Sequence, residues 1–217
     1  MKQLSTYINE KLILNKDTFK KPDYKYFPKT KEELKNIIKQ LIKERMDDPV
    51  IDLNDIDTSE IFDMAGLFYN WPIIKTKIDI SGWNVSNVRD MSTMFFECIN
   101  FNSLGDLSLW DVSKVIDMRS MFMSCENLKY IGDLSRWNVS KVENMRCMFY
   151  NCEKLKDIGD LSSWDVSNVI NMYRMFYNCK NLKYIGNLNK WNVSKVKNIY
   201  GMFTNSAITN IPDWYKD

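Results

Sequence analysis

Apolar residues recur along this chain with a period of 27 residues. The period is marked by one residue type, at Trp83, Trp110, Trp137, Trp164 and Trp191. Counting back one period from Trp83 reaches Ile56, where the same pattern recurs with Leu67 and Phe68 in the slots that hold a Met-Phe pair elsewhere. Fixed-period self-similarity is typical of repeat architectures. The pattern therefore predicts six units, which begin at Ile56 and at the five tryptophans.

Each unit combines two hydrophobic patterns. In the third unit, Met118, Met121, Phe122 and Cys125 are spaced i, i+3, i+4 and i+7, which is typical of a short helix of about two turns. The rest of the unit is a Leu/Ile stretch interrupted by Gly132, which predicts a strand and a turn. One unit cannot bury its apolar residues alone, whereas stacked units share a continuous core. The prediction is an α/β repeat solenoid with short parallel strands, ~4.8 Å apart, and short helices.

The motifs of the units also resemble a known family. WDVSKV, DMRSMF and SCENL in the third unit resemble the BspA-like leucine-rich-repeat family, whose variant of this length is also known as a mycoplasma domain of unknown function. The resemblance covers residues 50 to 214, about three quarters of the chain. It implies a right-handed, leucine-rich-repeat-like solenoid with a non-catalytic binding function, often at cell surfaces.

Residues 1–49 are predicted to form an N-terminal capping region. Thr30 followed by Glu33 is a capping box, and an apolar stripe behind it predicts an amphipathic helix over 31–46 that covers the first unit. The stripe consists of Leu34, Ile37, Ile38, Leu41 and Ile42. A helix that binds a partner is the alternative. Near the start, apolar residues between Tyr7 and Leu14 suggest a short packed element.

Residues 50–217 are predicted to form the six-unit solenoid and its C-terminal closure. Ile208, Ile211 and Trp214 continue the apolar phase, and Pro212 with the charged tail ends it. The first residues contain no apolar run of signal-peptide length, and no later run is long enough to span a membrane. We therefore expect a cytoplasmic protein with no membrane contact.

The amino-acid composition excludes several kinds of catalysis and of metal site. The chain contains no histidine, which removes Ser-His-Asp and Cys-His catalysis and every zinc site that needs an imidazole. Net charge is +2, and residues 56–217 hold 18 basic and 18 acidic side chains. That balance disfavours a nucleic-acid partner, because phosphate binding needs a basic excess.

The pattern of the recurring cysteines and carboxylates favours structural roles over metal-binding or catalytic roles. Four of the five cysteines keep the 27-residue phase, and only Cys147 does not, so we expect reduced, buried thiols, with metal or disulfide roles as the alternatives. Asp alternates with Asn in the recurring acidic slots, which favours turn hydrogen bonds over calcium ligation or acid catalysis. We therefore predict no catalytic residues, no metal and no cofactor.

Positions that differ between units are the candidates for recognition. Two slots, one and five residues past the buried Met91-type position, hold Arg, Tyr, Phe and Met, the residue types typical of interface hot spots. A second stripe beside the Leu column includes two tyrosines. The candidate partner-binding residues are Phe96, Arg119, Met123, Arg146, Tyr150, Tyr173, Tyr177 and Tyr200 in the first stripe, and Tyr130 and Tyr184 in the second. The alternative is that these side chains only cover the edge of the core.

The sequence thus predicts a non-enzymatic repeat module that binds a macromolecular partner, most simply a protein, through exposed variable positions. A structural or assembly component, for example of a phage particle or a surface layer, is the main rival. An enzyme with an acidic active site is the third hypothesis. Homo-oligomers are compatible with each.

Overall fold

Residues 23–69, 71 and 77–216 are described by a computed structural model of the chain. The packed element suggested between Tyr7 and Leu14 lies outside these residues.

A single α-helix, α1, precedes the repeats in the described part of the chain and spans Lys31–Glu44. Thr30 is its N-cap, and its hydroxyl accepts a hydrogen bond from the Glu33 amide at 3.2 Å. The helix ends two residues before the predicted boundary at 46. Leu34, Ile38 and Leu41 are fully buried and belong to the same core as the repeats. Neither α1 nor any other described helix has the length and apolar character needed to cross a membrane.

Ion pairs join α1 to the first unit. Arg45, the C-cap residue, forms two hydrogen bonds to the Asp55 carboxylate, at 3.0 and 2.7 Å. At the other end of the helix, the Lys31 ammonium contacts Asp63 at 2.6 Å and the Ala65 carbonyl at 3.2 Å. The helix therefore covers the start of the repeat stack through both apolar and charged contacts.

Parallel backbone contacts join each unit to the next. Strands β1 (Ile51–Asp52) and β2 (Ile78–Asp79) pair in parallel, with Ile51 opposite Ile78. Farther along, single parallel bridges replace regular strands and connect residues 27 positions apart. The longest series runs through Asp63, Asp90, Asp117, Asn144, Asn171 and Asn198. Short 3-10 helices at Leu134–Arg136, Leu161–Ser163 and Leu188–Lys190 form the corner before each later tryptophan.

The predicted short helices within the units are wrong for the described residues. In the second unit, the amides of Met91, Thr93, Phe95 and Glu97 donate to carbonyls of the third unit at 2.8–2.9 Å. The intervening residues close i to i+3 turns instead, and Thr93 and Glu97 have φ of 53° and 58°. Left-handed residues and amides bonded to a neighbouring unit exclude a continuous α-helix. Successive turns produce the same apolar spacing.

Identical side chains of successive units stack on one another and fill the core. Phe95 and Phe122 lie with ring centroids 5.4 Å apart and nearly parallel, and Phe149 continues the column at 5.4 Å. Each recurring tryptophan donates its indole N–H to the carbonyl 30 residues earlier in the chain, as Trp137 does to Leu107 at 2.9 Å. The thiols in the cysteine column do the same at 3.0 Å. The four in-phase cysteines are buried, as the sequence predicts, and Cys147, which lies off the phase, is free and buried as well.

The C-terminal residues lie against the last unit. Trp214 donates its indole N–H to the Leu188 carbonyl at 2.8 Å and stacks on Trp191. Tyr215 packs edge-on against Phe203. Trp214 thus continues the tryptophan column and Ile208 is buried, whereas Ile211, which is predicted in the same apolar phase, is exposed.

Replacement of Gly159 by Ala should strongly destabilise the protein. Gly159 has φ of +82°, and an added Cβ would lie 1.8 Å from Asp133 Oδ1. That oxygen also caps the 3-10 helix through the Ser135 amide, so it cannot move freely. We expect a loss of about 3 kcal/mol in the free energy of unfolding, measured by urea denaturation.

Gly66→Ala is the matched control. Gly66 also has positive φ, +62°, but its nearest side-chain neighbour is 3.6 Å from an added Cβ. It should lose only about 1–2 kcal/mol, the cost of the backbone conformation. Equal losses for the two variants would contradict the close approach between Gly159 and Asp133.

Asp117→Asn should stabilise the protein at neutral pH. Burial raises the pKa of the Asp117 carboxyl, with a smaller contribution from Asp90, against the opposing effect of Arg119. The folded state therefore favours the protonated Asp117 carboxyl. This preference stabilises the folded protein at low pH, and the stabilisation is lost as the pH rises through the raised pKa. We expect the variant to gain less than about 1 kcal/mol at pH 7. The gain in stability should disappear near pH 3, where the Asp117 side chain and the Asn side chain of the variant are both neutral. A variant that is less stable than the unmodified protein at pH 7 would contradict this reasoning.

Candidate functional site

The two variable slots form columns of stacked rings. In the second slot, Tyr150 and Tyr177 stack with centroids 4.9 Å apart and an interplanar angle of 8°. In the first slot, Tyr173 and Tyr200 stack at 6.2 Å. The stacking follows from the parallel bridges, which place the same slot of successive units side by side. Tyr200 is 60% exposed, so the columns face solvent toward the last unit.

Arg174 joins the two columns. Its guanidinium carbon lies 5.0 Å from the ring centroids of both Tyr173 and Tyr177. Arg146 approaches the Tyr173 ring from the preceding unit, at 5.3 Å. Cations over ring faces at these distances are attracted by the aromatic quadrupole. Both rings are therefore held by a guanidinium as well as by a neighbouring ring.

Arg174 is the residue that the sequence reasoning missed. A helix would place it on a different face from its neighbours, whereas the observed turn gives the backbone a φ of 51° at this residue. The signal that could have found it is Gly201, which occupies the same slot one unit later. A Cβ at Gly201 would lie 3.1 Å from Arg174 Cγ, so the glycine leaves room for the long side chain.

We define the Arg-Tyr face by the six residues that these contacts and slots bring together in the fourth to sixth units. It consists of Arg146, Tyr150, Tyr173, Arg174, Tyr177 and Tyr200. Five of the six are among the predicted binding residues.

The other predicted residues of this stripe lie in earlier units. Phe96 stacks on Tyr69 of the first unit at 5.2 Å, which makes a separate aromatic pair. Arg119 pairs with the Asp117 carboxylate at 3.5 Å. Met123 is half-buried and occupies the second slot between Phe96 and Tyr150. The stripe thus changes from aromatic and paired charge to the Arg-Tyr face along the stack.

The tyrosines of the second predicted stripe contact carboxylates and do not stack on other rings among the described residues. The hydroxyls of Tyr130 and Tyr184 lie 3.2 and 3.1 Å from the carboxylates of Asp106 and Asp160. Asp157 occupies the same slot in the unit between them, so the two rings are not adjacent in the stack. Both tyrosines are about half exposed. The structure gives them separate hydrogen bonds and no shared aromatic surface.

A buried thiol lies beside the Arg-Tyr face. Cys147 occupies the slot that Arg174 occupies one unit later, and it is 4% exposed. Burial raises the pKa of the Cys147 thiol, although the nearby guanidinium groups of Arg146 and Arg174 oppose the shift. The thiol is therefore protonated at neutral pH and packs as a small apolar side chain.

The recurring acidic slots are occupied by turn hydrogen bonds. Asp90 accepts the Ser92 amide at 2.8 Å, and Asn144 accepts the Arg146 amide at 3.1 Å in the same way. Asp133 and Asp160 cap the 3-10 helices through the amides two residues later. Across residues 23–69, 71 and 77–216, no three His, Cys, Asp or Glu side chains are grouped so that they could hold a metal ion.

Comparison with known proteins identifies one family. A family model described as a Mycoplasma protein of unknown function, DUF285, matches residues 36–158 and again residues 105–214. No curated protein and no solved structure matches the chain. The first of these two matches alone covers more than half of the chain and includes the end of α1 and the units through the fourth. The chain therefore belongs to the DUF285 family of Mycoplasma-type proteins of unknown function.

Proposed function

We propose that this protein is a non-enzymatic binding module of the BspA-like, leucine-rich-repeat-like solenoid type, and that it recognises a protein partner through the Arg-Tyr face. The observation that carries the proposal is the joining of two tyrosine columns by Arg174, with Arg146 beside them. Tyr and Arg are the residue types most enriched in interface hot spots.

The contacts within the face favour binding. Stacked rings and guanidinium groups restrict each other's rotamers before any partner arrives, so less side-chain entropy is lost on association. Tyrosine also combines a large apolar surface with a hydroxyl that can form hydrogen bonds at its exposed end. The parallel stack aligns these groups over three successive units, which suits an extended protein segment.

Free thiols are consistent with a reducing compartment. All five cysteines are buried and unpaired, and such thiols persist where disulfides are kept reduced. We include the cytoplasm as the proposed site of action.

Assembly is the second candidate function, because the last unit is less covered than the inner ones. Val193 and Val196 are partly exposed, whereas Val166 and Val169 in the preceding unit are buried. A second copy or another subunit packed against this end would bury them. The mass of the protein in solution, measured by light scattering, separates the candidates: ordered multimers favour assembly, and a monomer favours the binding module.

The double variant Tyr173→Ala/Tyr177→Ala should lose its protein partner. Loss of a hot-spot tyrosine costs about 2 kcal/mol, so we expect partner capture to fall about 30-fold or more. The measurement is chemical crosslinking in cells of the source organism, followed by quantitative mass spectrometry of the captured protein. Thermal unfolding of each variant establishes that it remains folded.

The matched control is Tyr130→Ala/Tyr184→Ala, which removes two exposed tyrosines from the second stripe. Its partner capture should equal that of the unmodified protein. If only the control loses the partner, the second stripe is the binding surface. If both variants retain it, the tyrosines merely cover the edge of the core, and the proposed face is rejected.

A further inference from the structure

One recurring slot of the stripe loses its negative charge where the Arg-Tyr face begins. The slot that holds Asp63, Asp90 and Asp117 in the first three units holds asparagine in the next three. A neighbouring slot holds Glu97 in the second unit and uncharged residues from the third unit onward. These uncharged residues are Ser124, Asn151, Asn178 and Asn205.

In the part of the chain that the structure describes, the two arginines of the face have no carboxylate partners. Arg119 in the third unit has Asp117 at 3.5 Å, but the equivalent neighbour of Arg146 is the neutral Asn144. Within the described residues, no carboxylate lies in ion-pair distance of Arg146 or Arg174. The Arg174 Nε atom is also buried without a hydrogen-bond partner. Two guanidinium groups on adjacent units thus have no carboxylate partner among the described residues.

Neighbouring groups already occupy the two central rings of the face, Tyr173 and Tyr177. One face of Tyr177 lies against Tyr150, and Arg174 lies over the ring as well. Tyr173 lies against Tyr200 and has two guanidinium groups within 5.3 Å of its centroid. Around these two rings, the groups that remain for a ligand are guanidinium N–H donors and phenolic hydroxyls. Both groups can donate to carboxylate oxygens.

We infer that the Arg-Tyr face binds a protein segment rich in Asp and Glu, whose carboxylates pair with Arg146 and Arg174. This inference rests on the proposed function and adds the chemistry of the partner. Charge complementarity carries it, because Arg119 has its own partner in Asp117, whereas no described carboxylate lies within ion-pair distance of Arg146 or Arg174.

An acidic protein segment fits better than single-stranded nucleic acid. Nucleic-acid sites offer open aromatic faces on which bases stack, and here neighbouring rings and guanidinium groups occupy the faces of Tyr173 and Tyr177. The equal numbers of acidic and basic residues over 56–217 also lack the excess that phosphate binding uses.

The probe is a fluorescent 12-residue peptide of alternating Glu and Ser, compared with the same peptide carrying Gln in place of Glu. Binding to the full chain is measured by fluorescence anisotropy at low ionic strength. We expect the Glu peptide to bind at least about tenfold more tightly than the Gln peptide. Its affinity should fall as salt is added, because exposed charge pairs are screened.

Two variants test the arginines directly. Arg146→Gln/Arg174→Gln should weaken binding of the Glu peptide about 100-fold, at about tenfold for each lost ion pair. Its control, Arg136→Gln/Lys190→Gln, removes the same charge from exposed residues of the 3-10 helices and should change affinity less than about twofold.

Asn144→Asp provides a test that keeps both arginines. It restores the carboxylate found at Asp117, preserves the turn hydrogen bond to the Arg146 amide, and should weaken binding several-fold by pairing Arg146 within the chain. Asn138→Asp is the control with the same charge change, in a slot that holds Asp111 and Asp165 in neighbouring units. Circular dichroism melting establishes that both variants fold.

The inference is overturned if the Gln peptide binds as tightly as the Glu peptide, or if Asn144→Asp and Asn138→Asp weaken binding equally. Tighter binding of a 12-residue oligothymidine than of the Glu peptide overturns it in favour of nucleic acid. If crosslinking shows that the natural protein partner needs Tyr173 and Tyr177, but the Glu peptide neither binds nor competes, this inference fails and the proposed function stands. If the natural partner does not need Tyr173 and Tyr177 and the Glu peptide does not bind, both the proposed function and this inference fail.

Discussion

Backbone amides in each repeat unit donate hydrogen bonds to carbonyls of the following unit, and the rest of the structure depends on this pairing. In the second unit every other amide from Met91 to Glu97 is used in this way. The pairing places identical slots side by side, so a residue type that is repeated in the sequence becomes a column in space. Phenylalanine, tryptophan and cysteine columns then fill the interior, and the tryptophans and cysteines each add one hydrogen bond to a carbonyl 30 residues earlier.

The same pairing organises the surface, because a slot that is free to vary also becomes a column. Where successive units carry tyrosine, the rings stack at 4.9–6.2 Å and become a rigid surface. Where one unit carries arginine and the next glycine, as at Arg174 and Gly201, the long side chain lies over the vacated space and reaches two rings. The character of the surface is thus a property of neighbouring units in combination.

Much of the local structure could be predicted from residue types alone. Thr30 and Glu33 located the start of α1 to the residue, and the 27-residue phase located the buried Trp, Met, Phe and Cys positions. The helix predicted within each unit failed because an i, i+3, i+4, i+7 pattern describes both an α-helix and a series of turns. Only the neighbouring unit, whose carbonyls accept hydrogen bonds from alternate amides, distinguishes a helix from a series of turns. Five of the six residues of the Arg-Tyr face were found, since they lie in slots that vary, and Arg174 was missed because its orientation depends on the turn.

The sequence by itself determined the phase of the repeats, the composition of the core columns, the capped helix that precedes them and the slots in which units differ. Those properties are encoded by which residue occupies which slot, and they need no knowledge of distance. Tertiary structure alone decided that the turns replace helices and that Arg146 and Arg174 lie over tyrosine rings. It also decided that neither arginine has a carboxylate within ion-pair distance among the described residues. The physical reason is that hydrogen bonds and ring contacts between units join residues about 27 positions apart, so their geometry exists only when the units are stacked.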